Sequence, residues 1–153
     1  MKVLIYWKVL ILAALSLVIT AAAFGEERSR VFQAQEGIAI NGYDPVAYFE
    51  ENGPKQGNQE FAAEWDGATW LFTSAENREK FASDPEKWAP AYGGYCAWAV
   101  SRNYLASTDP DAWSIVDNRL FLNFNKQVRS QWSKNPARNI RRGDKNWPDV
   151  LSN

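Results

Sequence analysis

An α+β domain is the fold this sequence predicts: a small antiparallel sheet of two β-hairpins with short helices around it. Three observations carry that expectation. Two alternating apolar stretches each fold about a two-residue turn signal. Helix-capping residues precede the segments between and after them. Aromatic side chains are also dense enough to fill a core.

The first hairpin is "EFAAEWDGATWLF", turning at Asp66-Gly67. That turn pairs Trp65 with Ala68, Ala63 with Trp70 and Phe61 with Phe72, so one face of the ribbon is wholly apolar. The second is "WSIVDNRLFLNF". A turn at Asp117-Asn118 sets Ile115 against Leu120 and Trp113 against Leu122. The opposite face (Ser114, Val116, Arg119, Phe121) is mixed, so one face is expected on the core. Thr73-x-x-Glu76 resembles a capping box opening "SAENREKFA", with Glu76 and Lys80 spaced for an i,i+4 pair. Asp84-Pro85 reads as an N-cap with proline at the first helical position, running to Trp88, and Asp109-Pro110 repeats the pattern ahead of Trp113. Asn125 caps a helix over "KQVRSQWSK", and Pro136 opens the last one. "ENGPKQGNQ" (51–59) is the loop-like stretch inside the domain.

The chain's 153 residues suggest one domain. Residues 1–23 have the layout of a secretory signal peptide: Lys2 and Lys8, an apolar run from Val9, then Ala21-Ala22-Ala23. The expected location is periplasmic or secreted after cleavage; the alternative is a membrane anchor formed by the uncleaved segment. Residues 24–35 read as a polar lead-in and 36–150 as the domain. Without Lys2 and Lys8 there remain 15 basic against 18 acidic residues, a net −3, which gives no electrostatic case for nucleic acid. Seven tryptophans stay in the exported part.

The chain has one cysteine, Cys96, and no histidine. An internal disulfide and every Ser-His or Cys-His catalytic pair are therefore ruled out. No phosphate loop, dinucleotide fingerprint or paired catalytic carboxylate stands out.

Three stretches form a recognisable pattern: "INGYDPVAYFE" (40–50), "WLFTSAENREKFASDPEKWAPAYGGYCAWAV" (70–100) and "DPDAWSIVDNRLFLNFNKQVRSQW" (109–132). Together they resemble the YHS-domain family, in particular its exported bacterial branch, over nearly all of the chain after the leader. The resemblance implies metal handling, since YHS segments are similar to appendages of metal-transporting ATPases. Those members carry cysteines in this frame. Here Ala47 follows Asp44-Pro45-Val46 where they place a thiol, and Thr73 and Asn77 stand at the two later positions. A zinc or copper(I) centre wants three or four thiolate or imidazole ligands. A monomer offering one thiol and no imidazole does not supply them, so no cofactor is expected and metal rests on the resemblance alone. A dimer sharing two copies of Cys96 is the remaining route to copper(I).

Cys96, in "AYGGYCAWAV", has three readings: a buried thiol in an aromatic core, a reactive thiol in a glycine-rich turn, or one half of an intermolecular disulfide. Tyr43 and Asp44 are either a turn with a core aromatic or, with Tyr92, Tyr95, Cys96 and Trp98, the wall of one ligand pocket. Arg138, Arg141, Arg142 and Lys145 form a basic C-terminal patch, either a solvated helix face or a contact for anionic lipid. The expected function is a non-enzymatic module of the cell envelope that binds a small molecule or a partner protein. The alternatives are a single-thiol redox protein acting through Cys96 and, as the resemblance implies, a metal-handling protein.

Overall fold

The computed structural model describes residues 28–35 and 37–153, so the signal-like segment 1–23 lies outside the described residues. The architecture is α+β. Among the described residues six short α-helices surround two antiparallel two-stranded sheets, where the sequence suggested that both hairpins could share one sheet.

Strands β1 (Asn58–Trp65) and β2 (Ala68–Phe72) form the first hairpin. Asp66 and Gly67 both have positive φ, 49° and 77°, the geometry a tight two-residue hairpin turn demands. Trp65 pairs with Ala68 and Ala63 with Trp70. The pairing of Phe61 with Phe72 does not form: a register shift between Asn58 and Ala62 sets Phe72 opposite Asn58. The Asn58 side chain accepts from the Glu60 amide at 2.9 Å, a local bond that draws this stretch out of the ladder.

Strands β3 (Asp109–Val116) and β4 (Arg119–Asn123) form the second hairpin in the expected register, Ile115 against Leu120 and Trp113 against Leu122. The helix start at Asp109-Pro110 is replaced by strand. Asp109 Oδ1 accepts from the Asp111 amide at 2.9 Å, and the Pro110 carbonyl accepts from the Tyr48 hydroxyl at 3.0 Å. Those bonds hold an irregular strand entry rather than a helix.

Strand β4 is also buried on both faces. Leu120 and Leu122 belong to a core with Val46, Tyr48, Trp70, Phe72, Phe81 and Trp88. Phe121, on the other face, belongs to a second core with Tyr92, Val100, Trp132 and Val150. The expectation of one solvated face is corrected: the hairpin is a wall between two aromatic cores, and "LFL" is a continuous buried run.

Helix α1 spans Ala47–Glu50, α2 Ala75–Ser83, α3 Pro85–Trp88, α4 Ala97–Val100, α5 Lys126–Trp132 and α6 Pro136–Asn146. The α2 cap is Ser74, whose hydroxyl accepts from the Asn77 amide at 3.1 Å, one residue later than the capping box implied. Thr73 is taken by another partner, described below. Lys80 reaches Glu76 at 2.9 Å. Asn125 caps α5 through the Val128 amide at 2.8 Å, and Asn135 caps α6.

Within the stretch read as a polar lead-in, residues 29–33 pack onto the domain. Val31 and Phe32 are buried, Phe32 donates its amide to the Gly93 carbonyl at 2.9 Å, and Tyr95 donates its hydroxyl to the Ser29 carbonyl at 2.9 Å. This strap explains Gly93, which has φ +60°; a Cβ there would overlap the Arg30 carbonyl oxygen.

Candidate functional site

The structure does not bring Tyr43, Asp44, Tyr92, Tyr95, Cys96 and Trp98 into one pocket. They fall into three separate environments: the β3–β4 wall sets Tyr43 apart from the others, and on the second core Tyr92 and the Cys96–Trp98 pair open into different hollows.

Asp44 lies in the first. It is 0 % exposed and joins two stretches of the chain. One carboxylate oxygen accepts from the amides of Val46 (2.8 Å) and Ala47 (3.2 Å), opening α1. The other accepts from the Thr73 amide (2.8 Å), the Thr73 hydroxyl (3.0 Å) and the Asn77 side-chain amide (2.8 Å). A buried carboxylate is tolerated when its acceptor sites are filled in this way. Asp44 is thus surrounded by donors from its own chain, with no open side for a ligand. Ala47, Thr73 and Asn77, the positions where the YHS resemblance places thiols, all reach this carboxylate, so here they build a hydrogen-bonded joint. Tyr43, beside it, is half-buried and packs on the first core. Among the described residues no three His, Cys, Asp or Glu side chains converge in a way that could hold a metal ion.

Tyr92 belongs to the second, a polar cleft of about 370 Å³ between the two hairpin turns, walled by Trp65, Trp147 and Arg119. Its hydroxyl donates to Asp144 at 3.0 Å, and Arg119 grips the same carboxylate through two nitrogens at 2.8 and 3.1 Å. Burial and the neighbouring Asp144 charge push the Tyr92 hydroxyl far above its usual range. Arg30 pairs with Asp66 at 3.3 Å on the far side. The arginines and aspartates of this cleft therefore satisfy one another. Tyr95 stays outside it, between Phe32 and Trp147, held by the Ser29 carbonyl.

Cys96 and Trp98 define the third, an apolar pocket of about 270 Å³ lined by Cys96, Trp98, Tyr104, Ala106, Phe124 and Val128. Cys96 is only 1 % exposed, and burial pushes its thiol up from its ordinary value. Its Sγ lies 3.8 Å from the Asn123 side-chain oxygen, which also accepts from the Trp98 amide at 3.1 Å. A fast-reacting thiolate requires the opposite shift and freer access. Burial makes Cys96 a small apolar wall with a polarisable sulfur. The rim is different. Tyr104 is 48 % exposed and Phe124 51 %, the only large hydrophobic side chains so exposed among the described residues, and both line this pocket.

Sequence reasoning missed Tyr104, Ala106, Phe124 and Val128. They come from the loop after α4, the end of β4 and the middle of α5, and no spacing links them. The one available signal was Phe124, an aromatic placed between a strand end and the Asn125 cap, where neither element needs it buried.

No family model matches the chain, and no curated protein or solved structure matches it either.

Proposed function

We propose that this domain is a non-enzymatic binding module that takes a small, flat, apolar organic molecule in the pocket over Cys96. One observation carries the reading: the two large hydrophobic side chains left half in water both flank the same apolar hollow. Exposed apolar surface gathered around a concavity favours a ligand over solvent. Covering the exposed parts of Tyr104 and Phe124 would contribute about 1 kcal/mol each, and every 1.4 kcal/mol is tenfold in affinity. The aromatic walls suit edge or face contact with a flat ring. A chain without histidine, whose lone thiol is buried and pushed towards its neutral form, supports binding rather than catalysis.

The signal-like leader supports placing the module in the cell envelope, and the YHS resemblance supports a small domain acting beside other envelope components. The metal-handling function implied by the same resemblance would need ligands beyond the single thiol of this chain.

Calorimetric titration of the full-length chain with 3-phenylpropanol tests the reading. One-to-one saturable binding is expected. Val128→Trp, which fills the pocket from α5, should abolish it while the melting temperature stays close to that of the parent. No saturable heat, or heat unchanged by Val128→Trp, would refute the assignment.

A further inference from the structure

The near-neutral net charge conceals a strong asymmetry. Between Tyr43 and Ala91 there are ten acidic and four basic residues; between Phe124 and Asn146 there are seven basic and one acidic. That one acid, Asp144, is already held by Arg119. The basic end of the molecule therefore has no carboxylate of its own to spare, and it lies next to the apolar pocket.

The link between the two is Arg102. Its guanidinium carbon lies 3.1 Å over the Trp98 ring, whose indole lines the pocket. One guanidinium nitrogen donates to the Trp98 carbonyl at 3.2 Å and the Ser101 hydroxyl at 2.7 Å, which fixes its position just after α4. Helix α6 is tied to α4 by the Asn146 side chain, which donates to the Val100 carbonyl at 2.8 Å. This brings Arg138 and Arg142 near enough for their charges to act on Arg102. Burial and those two like charges hold Arg102 below its ordinary pKa. Among the described residues none of the three makes an ion pair. Arg102 does not itself line the hollow, but it is a guanidinium without an ion-pair partner stacked on the Trp98 ring that does, and the more distant Arg138 and Arg142 add positive charge to that side. The remaining groups whose charges act on Arg102 are Tyr104 and the Cys96 thiol, and neither is a carboxylate.

We propose that the ligand of this pocket is an organic monoanion, an aryl carboxylate whose flat apolar body lies among Trp98, Tyr104 and Phe124 while its carboxylate is held by Arg102 with Arg142 and Arg138 behind it. The assignment rests on the pocket reading above and adds the charge and orientation of the guest. Arg102 already uses one nitrogen on the protein; its remaining donors are free to receive a carboxylate in the planar geometry that guanidinium favours. The stacked Trp98 ring keeps those donors from folding away.

A matched pair of ligands tests it: 3-phenylpropanoate and 3-phenylpropanol, titrated into the full-length chain at low and at high sodium chloride. The carboxylate is expected to bind at least tenfold more tightly at low salt, with the advantage shrinking as salt rises. Arg102→Gln should bring the two ligands to within about twofold of each other and leave the alcohol nearly unaffected. Arg142→Gln, remote from the pocket wall, should weaken the carboxylate alone by a smaller factor; it covers the case in which Arg102→Gln also disturbs Trp98. Equal affinity for the two ligands in the parent chain, or a carboxylate advantage that survives both substitutions, would overturn the anion assignment and leave the apolar pocket standing. Failure of both ligands to bind would remove the pocket reading and this inference with it.

Discussion

Asp44 collects five hydrogen bonds from two stretches, Val46-Ala47 just after it and Thr73 to Asn77 some thirty residues on, although Asp44-Pro45 reads from sequence as nothing more than a turn. The carboxylate itself is fully buried and its acceptor sites are filled by the chain's own donors, which makes it a structural joint rather than a ligand site. Asp44→Ala should therefore cost about 3 kcal/mol or more, because it leaves buried amides without acceptors. Urea unfolding reads that cost directly, and a loss under 1 kcal/mol would show that the joint is dispensable. Asp144 behaves differently because it is exposed. The Arg119 hydrogen bonds hold its carboxyl below the ordinary carboxylate range. A group whose folded pKa is depressed adds stability that is fully present above the unfolded value and is lost as pH falls through the folded one. Stability should thus decline on acidification from about pH 5 downward, and Asp144→Asn should flatten part of that decline in melting curves taken across the acid range. A variant whose acid limb matches the parent would contradict the coupling.

The elements show where sequence reasoning works and where it stops. Both hairpin turns were legible because Asp66-Gly67 and Asp117-Asn118 act within a few residues, and the observed positive φ values are what such turns require. The Asn125 cap and the helix start at Pro85 were legible for the same reason, although Asp84 holds the N-cap position without a capping side-chain hydrogen bond. The α2 cap shifted by one residue because Asp44, 29 residues earlier, claims Thr73. The strand at Asp109-Pro110 was not legible because its partner, the Tyr48 hydroxyl, is 62 residues away. The site divides in the same manner. Cys96 and Trp98 stand out in sequence as a thiol among rings, whereas Tyr104, Phe124 and Val128 gather only once β4, α4 and α5 are packed. The second buried face of β4 was the largest miss: alternation marked Phe121 as the solvent side, yet it is fully buried against Trp132, with ring centroids 5.1 Å apart. Phe121→Ala should cost about 3–5 kcal/mol, as expected for deleting a core aromatic. If chemical denaturation instead gives under 1 kcal/mol, the two-sided wall is wrong.

At the scale of the molecule, the β3–β4 wall shared by two cores and the strap of residues 29–33 across Gly93 bind the domain into one unit. Val31 and Phe32 each bury an apolar side chain, worth roughly 2 kcal/mol apiece. Removing residues 1–32 should therefore lower the melting temperature by several degrees at least, whereas a chain beginning at Ser29 should melt like the full-length protein. Equal melting of both truncations would detach the strap from the fold. The central claim is that the apolar hollow over Cys96, and not the larger self-paired cleft beside Tyr92, receives the ligand. The most direct measurement is a heteronuclear NMR titration of the isotope-labelled full-length chain with 3-phenylpropanol, following the tryptophan indole and Val128 methyl signals. The predicted result is saturable movement of the Trp98 and Val128 signals together, with Trp65 and Trp147 unmoved. Movement confined to Trp65 and Trp147, or none at Trp98, would contradict it.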